Sequence, residues 1–140
     1  MEGKVTWVGP GLRMLGESGS GPAFAVDHVM DDEDRPTAGP TPMELVLMAL
    51  AGCTGMDVLS IMKKQRQPLT GFEVTARGER AEEHPRVYTH IEIEYLITGE
   101  GLDPEGIVRA IELSETKYCS VAAMLGETVE IETAHRIEDA

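Results

Sequence analysis

The sequence predicts an α+β fold, antiparallel strands with helices packed on one sheet face. Three observations carry that prediction. Short stretches with period-two alternation and Gly-rich turns open the chain. One long apolar segment occupies the middle, and two further alternating stretches precede a pair of helical segments and a last strand. The resulting order is β-β-β-α-β-β-α-α-β. With 140 residues, the chain is long enough to bury a modest core and is read as one domain over 1–140. A meander and loop fill 1–40, and helices, hairpin and final strand fill 41–140.

Residues 4–8 (KVTWV) alternate with Val5 and Trp7 on one face and are expected to form a strand. Gly9-Pro10-Gly11 is a turn signal, 12–15 is a second short strand, 16–22 (GESGSGP) another turn, and 23–27 a third strand. The stretch HVMDDEDRPTAGPTP has mixed charge, three prolines and no periodicity, as an exposed loop does. Thr41 and Glu44 have the T-x-x-E spacing of a capping box, so a helix is expected from Pro42 to about Lys64.

GFEVTARGER and RVYTHIEIEYLITG then alternate well. In the second, Val87, Ile91, Ile93, Tyr95 and Ile97 occupy one face against His90, Glu92 and Glu94, with a turn around EEHPR. Asp103-Pro104 is a helix start, Ser114 is read as a second, and Gly126 is read as a stop. ETVEIETAHRIE closes the chain as a strand. The long helix is apolar nearly all round, and one small sheet covers only part of it. Its remaining face calls for a partner, so an oligomer is expected.

Charge excludes two partner classes. Lys+Arg number 12 against 25 Asp+Glu, a net −13. Nucleic acid and anionic membrane surfaces both need a basic patch, so neither is expected as a partner. The N-terminus lacks the apolar core of a signal peptide. The uncharged run 45–56 has 12 residues, too few for the roughly 20 of a membrane helix. A cytoplasmic protein is expected.

The two cysteines, Cys53 and Cys119, form no secreted-type disulfide framework. Core thiols, a redox pair and two metal ligands are all open on this count. Cys53 lies mid-helix between Gly52 and Gly55, which weaken a helix by about 0.8–1.0 kcal/mol each against alanine. Close helix packing or access to the sulfur would offset that. An unperturbed thiol near pKa 8.5 is only about 3% ionised at pH 7, so reactivity needs a cation nearby. Lys4, Arg13 and Arg35 precede the helix, and of these Arg13 lies on or near an early strand. Asp57 is four residues on and about 40° round from Cys53, so it is expected to face an amide or a cation. Glu44, nine residues back and about 180° round, fits a capping role. Cys119 is placed early in the second C-terminal helix.

Histidines at 28, 84, 90 and 135 lack metal-ligand spacing with the cysteines, and no phosphate loop or dinucleotide motif occurs. No metal and no cofactor is expected. Eight methionines, four of them within 43–62, suggest an adaptable core or interface.

GPTPMELVLMALAGCTGMDVLSIMKK resembles the first-cysteine helix of the OsmC/Ohr family, the osmotically inducible and organic hydroperoxide resistance proteins. LSETKYCSVAAML resembles its second-cysteine segment, and KVTWV…GPAFAVD fits its opening meander. The wording is nearest the YhfA-like branch. The resemblance implies antiparallel sheets wrapped around long central helices in an intertwined homodimer. It implies a thiol peroxidase acting on small organic hydroperoxides, with Cys53 peroxidatic, Cys119 resolving and an external dithiol as reductant. The family's assisting arginine corresponds to Arg13. Its glutamate falls at Met43 when prolines and cysteines are aligned without gaps, and Glu44 stands one residue on, about 100° round the helix. The competing expectation, from a different class, is a dimeric binding module whose methionine-lined apolar pocket holds a ligand, with structural or redox-sensing thiols.

Overall fold

The computed structural model describes residues 1–140. It contains β1 (Gly3–Trp7), β2 (Met14–Ser18), β3 (Ala23–Val26), α1 (Pro42–Lys64), β4 (Leu69–Arg80) and β5 (Tyr88–Gly99), followed by α2 (Pro104–Leu113), α3 (Ser120–Leu125) and β6 (Glu130–Glu138). A π-helical turn, Ser114–Tyr118, joins α2 to the segment before α3. The chain divides into two compact units, Met1–Val46 and Leu47–Ala140, with the boundary inside α1.

In the first unit β1, β2 and β3 form an antiparallel meander in that order. β2 extends to Ser18, through half of the segment expected to turn, because Gly16 and Glu17 pair with Phe24 and Ala23. The Gly9-Pro10-Gly11 turn forms with both glycines at positive φ, 68° and 57°. Val5 and Trp7 stay 63% and 69% exposed. The capping box closes as expected: the Thr41 amide donates to Glu44 Oε1 at 3.0 Å and the Glu44 amide to Thr41 Oγ1 at 3.3 Å. Thr41 holds the Glu44 carboxyl below its ordinary value through the same bonds.

In the second unit β4, β5 and β6 form one sheet. β4 and β5 are an antiparallel hairpin, whereas β6 runs parallel to β5, with Ile91 opposite Ile131 and Ile97 opposite Ile137. The expected all-antiparallel arrangement is corrected here. A parallel pair needs a long crossover, and α2, the π-turn and α3 supply it. Ile91, Ile93, Tyr95 and Ile97 are buried on one face of β5 as the alternation predicts, but Val87 lies outside the strand and is 53% exposed.

α1 buries the stripe Leu50, Thr54, Val58 and Met62, residues four apart, together with Gly55. A Cβ on Gly55 would meet Val74 Cγ2 at 3.2 Å, so this glycine brings α1 close to β4. Gly52 has no own-chain neighbour in that position, and Met48 and Met56 are 59% and 75% exposed. By length and composition alone α1 would cross a bilayer, with 23 residues and a hydropathy of 1.9 over its best window; the uncharged-run count suggested otherwise. Asp57 mid-helix and the buried stripe on the sheet side make it a core helix with one bare face.

Candidate thiol site

α1 and the segment after α2 bring the two cysteines together. Cys53 is half-buried and Cys119 is 3% exposed, and both are free thiols. The two sulfurs and an Asp57 carboxylate oxygen all lie within 4.8 Å of one another. Sixty-five residues of intervening sequence thus hid a direct neighbourhood.

Local chemistry explains how Cys119 arrives there. Asp103 caps α2, its side chain accepting from the Glu105 amide at 3.2 Å, with Pro104 in the first turn. The helix does not restart at Ser114, which corrects the sequence reading of that residue. Ser114 Oγ is spent on Asp57 and the backbone runs on into the π-turn, closed by the Cys119 amide donating to Ser114 O at 2.9 Å. Cys119 then turns extended (φ −73°, ψ 101°) and itself becomes the N-cap of α3. Its sulfur accepts from the Ala122 amide at 3.4 Å. Gly126 ends α3 as expected. Burial pushes the Cys119 thiol up to about 11, and the neighbouring Cys53 and Asp57 push in the same direction against the Ala122 amide.

A line of hydroxyls runs from the sheet to Asp57. Tyr95 Oη lies 2.6 Å from Thr54 Oγ1, which lies 2.8 Å from Ser114 Oγ, which donates to Asp57 Oδ2 at 3.1 Å. A carboxylate only accepts, so Ser114 donates to Asp57, Thr54 to Ser114, and Tyr95 to Thr54. Every proton in the line points toward Asp57. Burial pushes the Tyr95 phenol up to about 12, which keeps it a donor. Asp57 therefore faces a hydroxyl and two thiols, not the amide or cation expected from the sequence. A concavity of about 330 Å³ opens beside Asp57, lined by Ser60, Ile61, Lys64, Leu113 and Tyr118.

The other predicted residues belong to the first unit. Arg13 Nε donates to Asp27 Oδ2 at 3.1 Å, and an Arg13 Nη reaches Pro36 O at 3.5 Å. Glu44 is the capping residue described above, and Met43 stands beside it in the first turn of α1. Sequence reasoning missed Asp27, and named Arg35 only as one of three candidate cations for Cys53. The Asp27 side chain is 0% exposed and binds Arg35 through both carboxylate oxygens, at 2.8 and 3.1 Å, along with the Ala38 amide at 2.9 Å. Arg35 also binds Glu33 at 3.0 Å. Arg35 of the expected exposed loop therefore folds back onto Asp27 just after β3, making a buried ionic centre in which Arg35 holds the Asp27 carboxyl far below the usual range. Every buried side-chain nitrogen and oxygen of the protein has a partner.

Two clusters have metal-ligand types within reach of one another: Cys53, Asp57 and Cys119, and His90, Glu130 and Glu132. In the second, Nδ1 faces Glu130 at 3.9 Å and Nε2 faces Glu132 at 3.4 Å, one carboxylate on each side of the ring.

Comparison with known proteins identifies the family of the chain. The family model described as OsmC-like protein matches residues 32–134. The chain belongs to the OsmC-like family. This OsmC-like chain is 43% identical to Protein YhfA of Escherichia coli strain K12 over 137 residues, 98% of each. Among solved structures, a hypothetical protein from Aquifex aeolicus VF5 is 28% identical, with TM-score 0.84 over 99% of this chain and 96% of that one. The organic hydroperoxide resistance protein OhrB of Bacillus subtilis is 17% identical, with TM-score 0.62 over 97% and 98%, and shows the shared fold.

Proposed function

We propose that this chain is a cofactor-free, peroxiredoxin-like thiol peroxidase that reduces small organic hydroperoxides in the cytoplasm. The observation that carries the reading is the approach of Cys53 and Cys119, the half-buried thiol facing the buried one. Cys53 thiolate attacks the distal oxygen of the hydroperoxide. The O–O bond breaks, Cys53 becomes a sulfenic acid, and the alkoxide leaves and takes up a proton as the alcohol. Cys119 then attacks the Cys53 sulfur and displaces the hydroxyl as water, leaving a Cys53–Cys119 disulfide. An external dithiol reduces that bond and becomes oxidised itself.

Unequal exposure supports the division of roles. A peroxidatic thiol must meet substrate, and Cys53 is the more accessible sulfur. A resolving thiol need only meet its partner, and Cys119 is buried and held as the neutral thiol near neutral pH. Arg13 is the proposed cation for the Cys53 thiolate. Its Nε and one Nη are engaged in the first unit, which leaves the other Nη for a further acceptor. Glu44 is assigned to capping and not to catalysis, because both of its reciprocal bonds go to Thr41.

A second copy of the chain is the proposed cover for the bare apolar surfaces, making an intertwined homodimer in which residues 1–140 act as one OsmC-like domain. The exposed Val5, Trp7 and Phe24 of the first unit and Met48 and Met56 of the second support it. The same methionines lie on an open groove of α1 with Phe72 and Val74, a surface that a second copy would cover.

Cys53→Ser tests the reading. The variant is expected to lose hydroperoxide consumption entirely. Cys119→Ser is expected to hold a sulfenic acid, trapped by dimedone, that excess hydroperoxide converts to sulfinic acid. Unchanged consumption in Cys53→Ser would end the reading.

A further inference from the structure

The thiol site has a third member that the peroxide chemistry above does not use. Asp57 stands one helical turn from Cys53 on α1, and its carboxylate lies within 4.8 Å of both sulfurs. It has no ion-pair partner, and its one side-chain hydrogen bond comes from Ser114. The carboxylate opposes ionisation of the Cys119 thiol, and a cation joining the group would answer its charge.

We propose that the reduced protein binds one zinc ion through Cys53 Sγ, Cys119 Sγ and the Asp57 carboxylate. Two thiolates and a carboxylate form a three-ligand set suited to a thiophilic divalent ion, with the fourth position open. A tetrahedral zinc with Zn–S near 2.3 Å places two sulfurs about 3.8 Å apart, so the ligands need close up by no more than roughly 1 Å. Ser114 supplies the outer support such sites use. Its donation to Asp57 Oδ2 fixes the carboxylate, and Thr54 and Tyr95 fix Ser114 in turn. The histidine cluster lacks this convergence: its imidazole presents a different nitrogen to each of two carboxylates that are 72% and 61% exposed.

Binding displaces up to two protons, one from each thiol, to solvent, and leaves the ligand set with one net negative charge. The ion's charge stabilises the Cys119 thiolate that burial disfavours. The ion occupies the sulfur that would attack a hydroperoxide, so zinc and peroxide exclude each other. Oxidation to the disulfide removes both sulfur ligands and releases the ion. The metal site stands or falls independently of the peroxidase reading, because binding needs only the reduced dithiol and Asp57.

Cobalt(II) chloride, then zinc chloride, titrated into reduced protein under argon provides the test. We expect one equivalent of cobalt to give thiolate-to-metal charge-transfer absorption and the visible bands of a tetrahedral ion, both erased by one equivalent of zinc. Asp57→Asn is expected to weaken cobalt binding by roughly tenfold or more, and Ser114→Ala, which keeps all three ligands, by about tenfold. Each variant's fold is checked by circular dichroism and by the reactivity of both thiols. Diamide-oxidised wild type is expected to bind none. Absence of a charge-transfer band in the reduced wild type, unaltered affinity in a folded Asp57→Asn, or equal binding by the oxidised protein would each overturn the proposal. Hydroperoxide consumption measured in metal-free buffer reads the peroxidase separately.

Discussion

Two aspartates, one in each unit, sit in opposite electrostatic settings. Asp27 of the first unit has a fully buried side chain and is satisfied by Arg35, Arg13 and the Ala38 amide. Asp57 of the second unit is half-buried and receives one hydroxyl, at the end of a line of hydroxyls, with two thiols beside it. The first carboxylate has its negative charge answered by fixed cations and organises a loop that has no regular secondary structure. The second carries a charge that no side-chain cation answers, next to the two cysteine thiols of the chain. Buried charge that is compensated holds a fold together, whereas charge left open beside nucleophiles marks a place where something else binds or reacts.

Removing Arg35 breaks the comparison most severely. Arg35→Leu leaves the buried Asp27 with one guanidinium and is expected to abolish amide-exchange protection across β2 and β3. Amides of β4 and β5 are expected to keep theirs. Acid reaches the same bonds in the wild type. The folded-state pKa of Asp27 lies well below the unfolded value near 3.9, so its stabilising contribution is complete above that value and is lost as pH falls below it. Exchange protection of β2 and β3 is therefore expected to fade in acid.

Thr54→Val acts next, on the uncharged side. It removes the only acceptor of the Tyr95 hydroxyl and the donor to Ser114 while nearly preserving shape. Urea unfolding should show a loss of about 1–3 kcal/mol; a change near zero would mean that the hydroxyl line carries no stability.

Gly52→Ala is the mildest change and separates the two glycines that flank Cys53. No own-chain atom lies within 4 Å of the added methyl, so helix propensity alone predicts a gain of about 0.8–1.0 kcal/mol per protomer. If a second copy packs on this face, sedimentation should instead show weakened self-association.

Legibility followed the range of the forces involved. Local signals were readable: alternation placed β5's buried face, the T-x-x-E spacing placed α1's start, and Asp103-Pro104 placed α2's start. Ser114 and Cys119 were misjudged because their local preferences lost to a distant partner. The Ser114 hydroxyl went to Asp57, 57 residues away, and the cap passed to Cys119. The same holds for β6, whose parallel pairing depends on the crossover and not on its own residues. Arg35 stands in a charge-rich stretch whose composition says loop and cannot say that it pairs with Asp27 at the end of the expected third strand. Helix periodicity placed Asp57 beside Cys53, but the approach of Cys119 to both depends on contacts across 65 intervening residues that no local signal carries. The count of two cysteines left pairing open, and only family resemblance favoured it.

The central claim is that Cys53 and Cys119 form one redox unit set by their positions. Intact-protein mass spectrometry with parallel thiol titration, after one equivalent of cumene hydroperoxide on the reduced protein, tests it most directly. The account predicts loss of both thiols, a mass lower by two hydrogen atoms, one equivalent of cumyl alcohol, and a peptide map linking Cys53 to Cys119. Two thiols still titrating, with the mass unchanged, would contradict it.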